Sequence, residues 1–200
     1  TPHTLRAWWL AARPKTLSGA LVSVVTATTL AYTSDTPHAA APFLAVLCAA
    51  FAGLIQIASN FINDLIDFRR GRDGEDRLGP ERACAQGWIT PQAMQRGIAI
   101  TLVLAAAVGL CSLVLFAHAS QYPFAQLALW LGLVGVSCGA GAFLYTTHLS
   151  RLALGDVMVL IFFGLIPVSG TYFLLTDHLT LPALLLGLSI GLVVDLLLVI

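Results

Sequence analysis

Six stretches of this chain, residues 17–33, 42–65, 93–116, 124–146, 155–175 and 181–200, are apolar almost throughout, with no more than one formal charge in each. Their lengths are close to the roughly 20 residues that an α-helix needs to cross ~30 Å of hydrocarbon. The runs are continuous and rich in Leu and Ala. They lack the alternation that would mark strands of a membrane barrel. With 58% hydrophobic and 10% charged residues and a mean hydropathy of +0.88, the chain is far from an ordinary globular composition. The expected fold is all-α, a polytopic transmembrane bundle of six spans with a long loop after the second.

The connections orient this bundle. Arg6, Arg13 and Lys15 precede the first span, Arg69, Arg70, Arg72, Arg77, Arg82 and Arg96 lie between or beside the second and third, and Arg151 lies between the fourth and fifth. The other connections, near 34–41, 117–123 and 176–180, hold no Lys or Arg. Basic residues in short loops favour the cytoplasmic side, so the amino terminus and the charged loop are expected to face the cytoplasm. A signal peptide is the competing reading of the first window, but five further windows argue against it. The formal net charge is zero, which leaves no general basic surface for nucleic acid. The four cysteines form no C-x-x-C pair and the five histidines have no metal-ligand spacing. The cysteines read as small packing residues, and the histidines are given no role.

Residues 56–82 gather six acidic and five basic side chains, more than half of the chain's 20 formal charges. Gln56, Asn60, Asn63 and Asp67 follow one another at spacings of four, three and four, which places them on one face of a helix. Polar groups at membrane depth are costly unless they face the bundle interior or a wet cavity. This stripe is therefore expected to point inward, with Asp64 one residue off its face. Asp73, Glu75 and Asp76 follow. Carboxylates of this kind suit Mg²⁺, which commonly bridges one or two of them to substrate phosphates. Arg72, Arg77 and Arg82 stand where they could hold the remaining phosphate oxygens. The pattern points to a site for a membrane-soluble diphosphate. The plainer reading is a solvated loop with basic anchors, but such a loop does not call for Gln56, Asn60 and Asn63 inside a span.

The run NDLIDFRRGRD at 63–73, with RLGPER at 77–82 and GWIT at 87–90, resembles the first aspartate-rich motif of the UbiA-type intramembrane aromatic prenyltransferases. Its order N-D-x-x-D-x-x-x-G-x-D is similar to that of the dihydroxynaphthoate, or menaquinone, branch. ARPKTL at 12–17, YTTHLSRLALGD at 145–156 and FFGLIPVSGTYF at 162–173 agree with it. The resemblance implies Mg²⁺-dependent transfer of a polyprenyl group from its diphosphate to an aromatic acceptor, 1,4-dihydroxy-2-naphthoate, with decarboxylation, in the lipid bilayer of the bacterial inner membrane. It implies that Asn63, Asp67 and Asp73 bind the metal and act catalytically, and that Arg72, Arg77 and Arg82 bind the diphosphate. Arg13, Tyr145 and Asp156 become candidates for contacting the acceptor or ordering a covering loop. The hydroxybenzoate branch carries an aspartate where Gly71 stands here, which favours the naphthoate acceptor.

The family also carries a second aspartate-rich motif after its sixth span, and residues 1–200 hold none. They are expected to be a single but incomplete prenyltransferase domain, inactive in isolation. Asp195 is expected to face the bundle and pair with a polar group rather than replace that motif. Lys15 reads as a cytoplasmic anchor, and Thr90 with Pro91 as the cap and first-turn proline of the third span. Two other functions compete. A cation transporter or channel subunit would need polar groups across the whole membrane depth, yet all but Asp195 cluster at one surface. A structural subunit with a charged docking loop would need only the alternation of charge.

Overall fold

The structure is a computed structural model that describes residues 4–71, 82–147 and 155–199, and every described element is helical. In chain order they are α1 (Leu5–Ala12), α2 (Pro14–Ser34), α3 (Ala41–Arg69), α4 (Pro91–Ala119), α5 (Phe124–Thr147), α6 (Gly155–Val159), a π-helical segment (Leu160–Leu165), α7 (Ile166–Thr176) and α8 (Leu181–Val199). Five stretches, Pro14–Ser34, Ala41–Arg69, Pro91–Ala119, Phe124–Phe143 and Gly155–Thr176, are long and apolar enough to cross a membrane. In the sixth expected window the apolar helix measured over described residues, Leu181–Leu196, is shorter. The protein is an all-α, polytopic membrane bundle. Its apolar side chains are exposed on a scale that water would not tolerate, with Val103, Leu133 and Val136 each more than 60% accessible.

The element boundaries follow from local chemistry. The Thr90 hydroxyl accepts from the Ala93 amide at 3.3 Å, and Pro91 opens α4, as the sequence leads one to expect. Helix α3 runs four residues past the expected window and stops where Gly71 adopts φ +62°, a left-handed conformation open to glycine. A short helix the hydropathy pattern did not suggest, α1, precedes the first span. It carries Trp8, which meets Phe61 edge-on at 5.4 Å.

Helix α3 is the hub, packing against α2, α4, α5 and α7. Two apolar cores form. One, around Leu44, Phe116, Val168 and Tyr172, lies toward the connections without basic residues; the other, around Phe61, Ile89 and Met94, lies under the charged loop. Helix α8 crosses the π-helical segment through glycines. A Cβ on Gly164 would come within 2.7 Å of the Gly191 Cα, so only glycine permits this approach. Pro167 has no amide to give the Phe163 carbonyl in a regular α-helix, and that carbonyl instead accepts from the Ser23 hydroxyl of α2.

The three connections without Lys or Arg meet one another, as alternation requires. The Ser120 hydroxyl and the Gln121 amide donate to Asp177 at 2.5 and 3.1 Å. The His38 Nε2–H donates to the Leu174 carbonyl at 2.8 Å. Asp35 Oδ2 accepts from the Tyr172 hydroxyl at 2.7 Å and lies 2.7 Å from His178 Nε2. The histidines 38 and 178, given no role from the sequence, thus help close this end.

Candidate active site at the charged end of the bundle

A cavity of about 840 Å³ opens inside the bundle between α2, α3, α4, α5 and α7. Its inner end is apolar and reaches Leu113, Leu131 and Leu174, next to the first core. Its other end is polar and carries Arg13, Lys15, Ser18, Ser59, Asn60 and Asn63. The expected inward stripe exists: Gln56, Asn60 and Asn63 all line this cavity.

The stripe divides, however, into residues with different tasks. The Asn60 amide donates to the Ala12 carbonyl at 2.8 Å and to the Thr16 hydroxyl at 2.9 Å, and the Gln56 amide donates to the same hydroxyl at 3.3 Å. These bonds pin the elbow between α1 and α2. At that elbow Arg13 takes φ +51°, a left-handed conformation that costs a residue with a Cβ roughly 1–2 kcal/mol. The Thr16 amide and hydroxyl both donate to the Arg13 carbonyl at 2.9 Å, which helps hold it there. Gln56 and Asn60 are 9% and 3% exposed, and their hydrogen bonds make them holders of the elbow.

Asn63 stands on the cavity wall, one turn beyond Asn60. Asp67 lies a further turn on, where the Arg82 guanidinium donates to its Oδ2 in a close ion pair whose side chains are only 16% and 6% exposed. Asp64, one residue off the stripe, is 1% exposed and accepts from the amides of Ala83 and Cys84 at 2.8 and 3.0 Å. It caps the turn that follows the charged loop. That turn is closed by the Trp88 amide donating to the Ala83 carbonyl at 2.9 Å, with Gly87 at φ +67°. The effect is to carry Arg82 back to Asp67 across 15 residues of chain.

Of the other expected site residues, Arg72, Asp73 and Arg77 lie outside the described residues. Tyr145 falls in the last turn of α5, and its side chain also lies outside them. Asp156 is exposed in the first turn of α6 and does not line the cavity. Asp195 has no polar partner among the described residues, and the expected pairing is not made there. Its half-buried side chain lies one residue beyond Val194, which does reach the cavity. Lys15, expected to be a plain anchor, is on the cavity wall. The only sequence signal for this was its place two residues after Arg13 at a helix start.

Among the described residues no group of three or more acidic, Cys or His side chains comes together to hold a metal ion. Asn63 and Asp67, one turn apart on α3, nevertheless offer an amide and a carboxylate oxygen. That donor chemistry fits Mg²⁺, which takes one or two protein oxygens and leaves its other positions to water and phosphate.

These features define a polytopic helical membrane protein built around a cavity that is greasy at one end and polar at the other. The chain belongs to the UbiA prenyltransferase family, whose model matches residues 20–199. It is 37% identical over 191 residues to the 1,4-dihydroxy-2-naphthoate octaprenyltransferase of Haemophilus influenzae, covering 92% of this chain and 60% of that relative. It is 38% identical over 184 residues to the Escherichia coli protein of the same name, covering 90% and 57%, and 35% identical over 169 residues to that of Mycobacterium tuberculosis, covering 83% and 53%. The chain thus spans little more than half the length of these relatives. No solved structure matches it.

Proposed function

We propose that this chain is part of an enzyme that transfers a polyprenyl group from its diphosphate to 1,4-dihydroxy-2-naphthoate. It would be a multi-pass protein of the bacterial inner membrane with its amino terminus in the cytoplasm. The observation that carries the reading is the 840 Å³ cavity, apolar inside and bearing Asn63 at its polar end beside the Asp67–Arg82 pair. The names of the relatives supply the acceptor. A polyprenyl diphosphate is an apolar chain with an anionic head, and the cavity has the corresponding polarity.

Asn63 and Asp67 would hold Mg²⁺ together with Asp73, and the ion would neutralise charge on the departing diphosphate. Arg72, Arg77 and Arg82 would bind diphosphate oxygens, which requires Arg82 to turn at least partly from Asp67 toward the substrate. The apolar walls keep water from the allylic carbon as it becomes cation-like. The allylic C–O bond breaks, its electron pair leaving with the diphosphate. The ring carbon that bears the carboxylate then forms the new C–C bond. Loss of that carboxylate as carbon dioxide returns its electron pair to the ring. Arg13 at the cavity end, with Tyr145 and Asp156 at either side of the second basic connection, would contact the acceptor or order the loop above it.

The test is to supply the full-length protein, in detergent or bilayer discs, with polyprenyl diphosphate, Mg²⁺ and 1,4-dihydroxy-2-naphthoate. The expected result is the prenylated, decarboxylated quinol, made only with Mg²⁺ present. A well-folded preparation that prenylates 4-hydroxybenzoate instead would move the acceptor assignment. Mg²⁺ flux through liposomes without either product would favour transport.

A further inference from the structure

Among the described residues, the cavity wall carries formal charge at one end. Among its described lining residues the charged side chains are Arg13 and Lys15, with neutral Thr16, Ser18, Ser59 and Asn63 around them, and none of these lining residues is acidic. Both cations belong to the start of α2, the positive end of the helix macrodipole, where a cation is electrostatically disfavoured. Charge in that position adds nothing to the helix. It does give the polar end of the cavity an attraction for anions. Arg82, a described cation of the charged loop, is engaged with Asp67 and sits outside the lining residues.

Resting on the proposed prenyl transfer, we infer that Lys15 is a specificity-determining residue that binds the carboxylate of the aromatic acceptor. Two anionic heads must meet at this end, the diphosphate and the acceptor carboxylate. The proposed function assigns the first to Mg²⁺ held by Asn63 and Asp67 of α3 and to arginines of the loop that follows. Lys15 stands on the neighbouring α2 wall, and the Asn60 hydrogen bonds hold the elbow beside it against α3. A ring anchored through its carboxylate at Lys15 has its body in the apolar part of the cavity. The carbon bearing the carboxylate would then lie at the polar end of the cavity, which Asn63 also lines. A lysine ammonium is a compact point charge suited to a single carboxylate. Its exposed side chain in this chain is free to reorient onto a ligand.

The test compares Lys15→Gln and Lys15→Arg with the wild-type full-length enzyme. KM is measured separately for 1,4-dihydroxy-2-naphthoate and for the polyprenyl diphosphate, and prenylation of 1,4-dihydroxynaphthalene, which lacks the carboxylate, is followed alongside. Loss of one charge-assisted contact is expected to raise KM for the naphthoate about tenfold or more. The diphosphate KM should stay within about twofold, and the preference for the acid over the diol should fall by the same tenfold factor. Lys15→Arg should recover most of the loss. An unchanged naphthoate KM, or a rise confined to the diphosphate, overturns the inference while leaving the proposed function standing. A wild-type enzyme that prenylates no naphthoate overturns both. Because Lys15 is exposed, an unchanged melting temperature should accompany each variant, and a KM change that only follows a loss of folded protein counts against the inference.

Discussion

The two ends of this bundle are built from similar side chains put to opposite use. At the end formed by the connections without basic residues, Asp35, Asp177, His38 and His178 each bind a neighbouring loop or helix end. At the other end, Asp64 ties down the chain in the same manner, but Asn63, Lys15 and Arg13 stand on the wall of a cavity. Acidic residues and hydrogen bonds alone therefore do not mark the site. The difference is whether the polar atoms face another piece of backbone or a space large enough for a substrate.

The comparison is tested most severely by neutralising one carboxylate at each end. Asp67→Asn in the full-length enzyme is expected to lower turnover at least about a hundredfold, on the scale of losing one electrostatic stabiliser of the reaction. It should also lower the melting temperature, because the Arg82 guanidinium loses the charge on the Asp67 oxygen to which it donates. Asp177→Asn should leave kcat and both KM values within about twofold. Equal losses at the two ends in a prenyl-transfer assay would erase the distinction.

Next in size, Asp64→Ala removes the acceptor for two buried amides and should cost about 2–4 kcal/mol in unfolding midpoint measurements. Protein that remains folded at low temperature should still bind polyprenyl diphosphate. Loss of binding in that folded fraction would make Asp64 a member of the site rather than its support.

Smaller again, Ser23→Ala leaves the Phe163 carbonyl, four residues before Pro167, without its hydroxyl partner, for about 1–2 kcal/mol. Thermal unfolding in detergent checks the value, and no change would mean that the π-helical segment is held by the α8 glycine crossing without help from Ser23.

The smallest effect concerns acid. The Tyr172 hydroxyl, then the Thr36 amide and His178, hold the Asp35 carboxyl below its ordinary pKa. Folding therefore favours the ionised form. Its stabilisation is fully present above the unfolded carboxylate value near pH ~4 and is lost as pH falls through the lower folded value. The wild-type advantage in melting temperature over Asp35→Asn should accordingly shrink on acidification from pH ~7 to ~3. An advantage that grows instead would reverse the assigned direction.

Much of this is legible in the sequence. Helical spacing placed Gln56, Asn60 and Asn63 on one face, and the cost of polar groups in hydrocarbon turned that face inward; all three line the cavity. The pattern did not reveal that Gln56 and Asn60 serve the α1–α2 elbow, whose Thr16 hydroxyl is 40 and 44 residues away in sequence. Nor does the pattern show that Lys15 lines the cavity. Positive charge before an apolar run satisfies the orientation rule whichever wall it faces.

What the sequence by itself determined is the helical, membrane-crossing character of the chain and which connections gather at the same end of the bundle. Hydrocarbon offers the backbone no partners, so apolar runs of this length have helices as their way to cross. Only the tertiary structure decided which polar groups are consumed in holding the bundle and which are left facing a cavity. That choice depends on the partner brought opposite each side chain, and periodicity along one helix says nothing about what another helix presents to it.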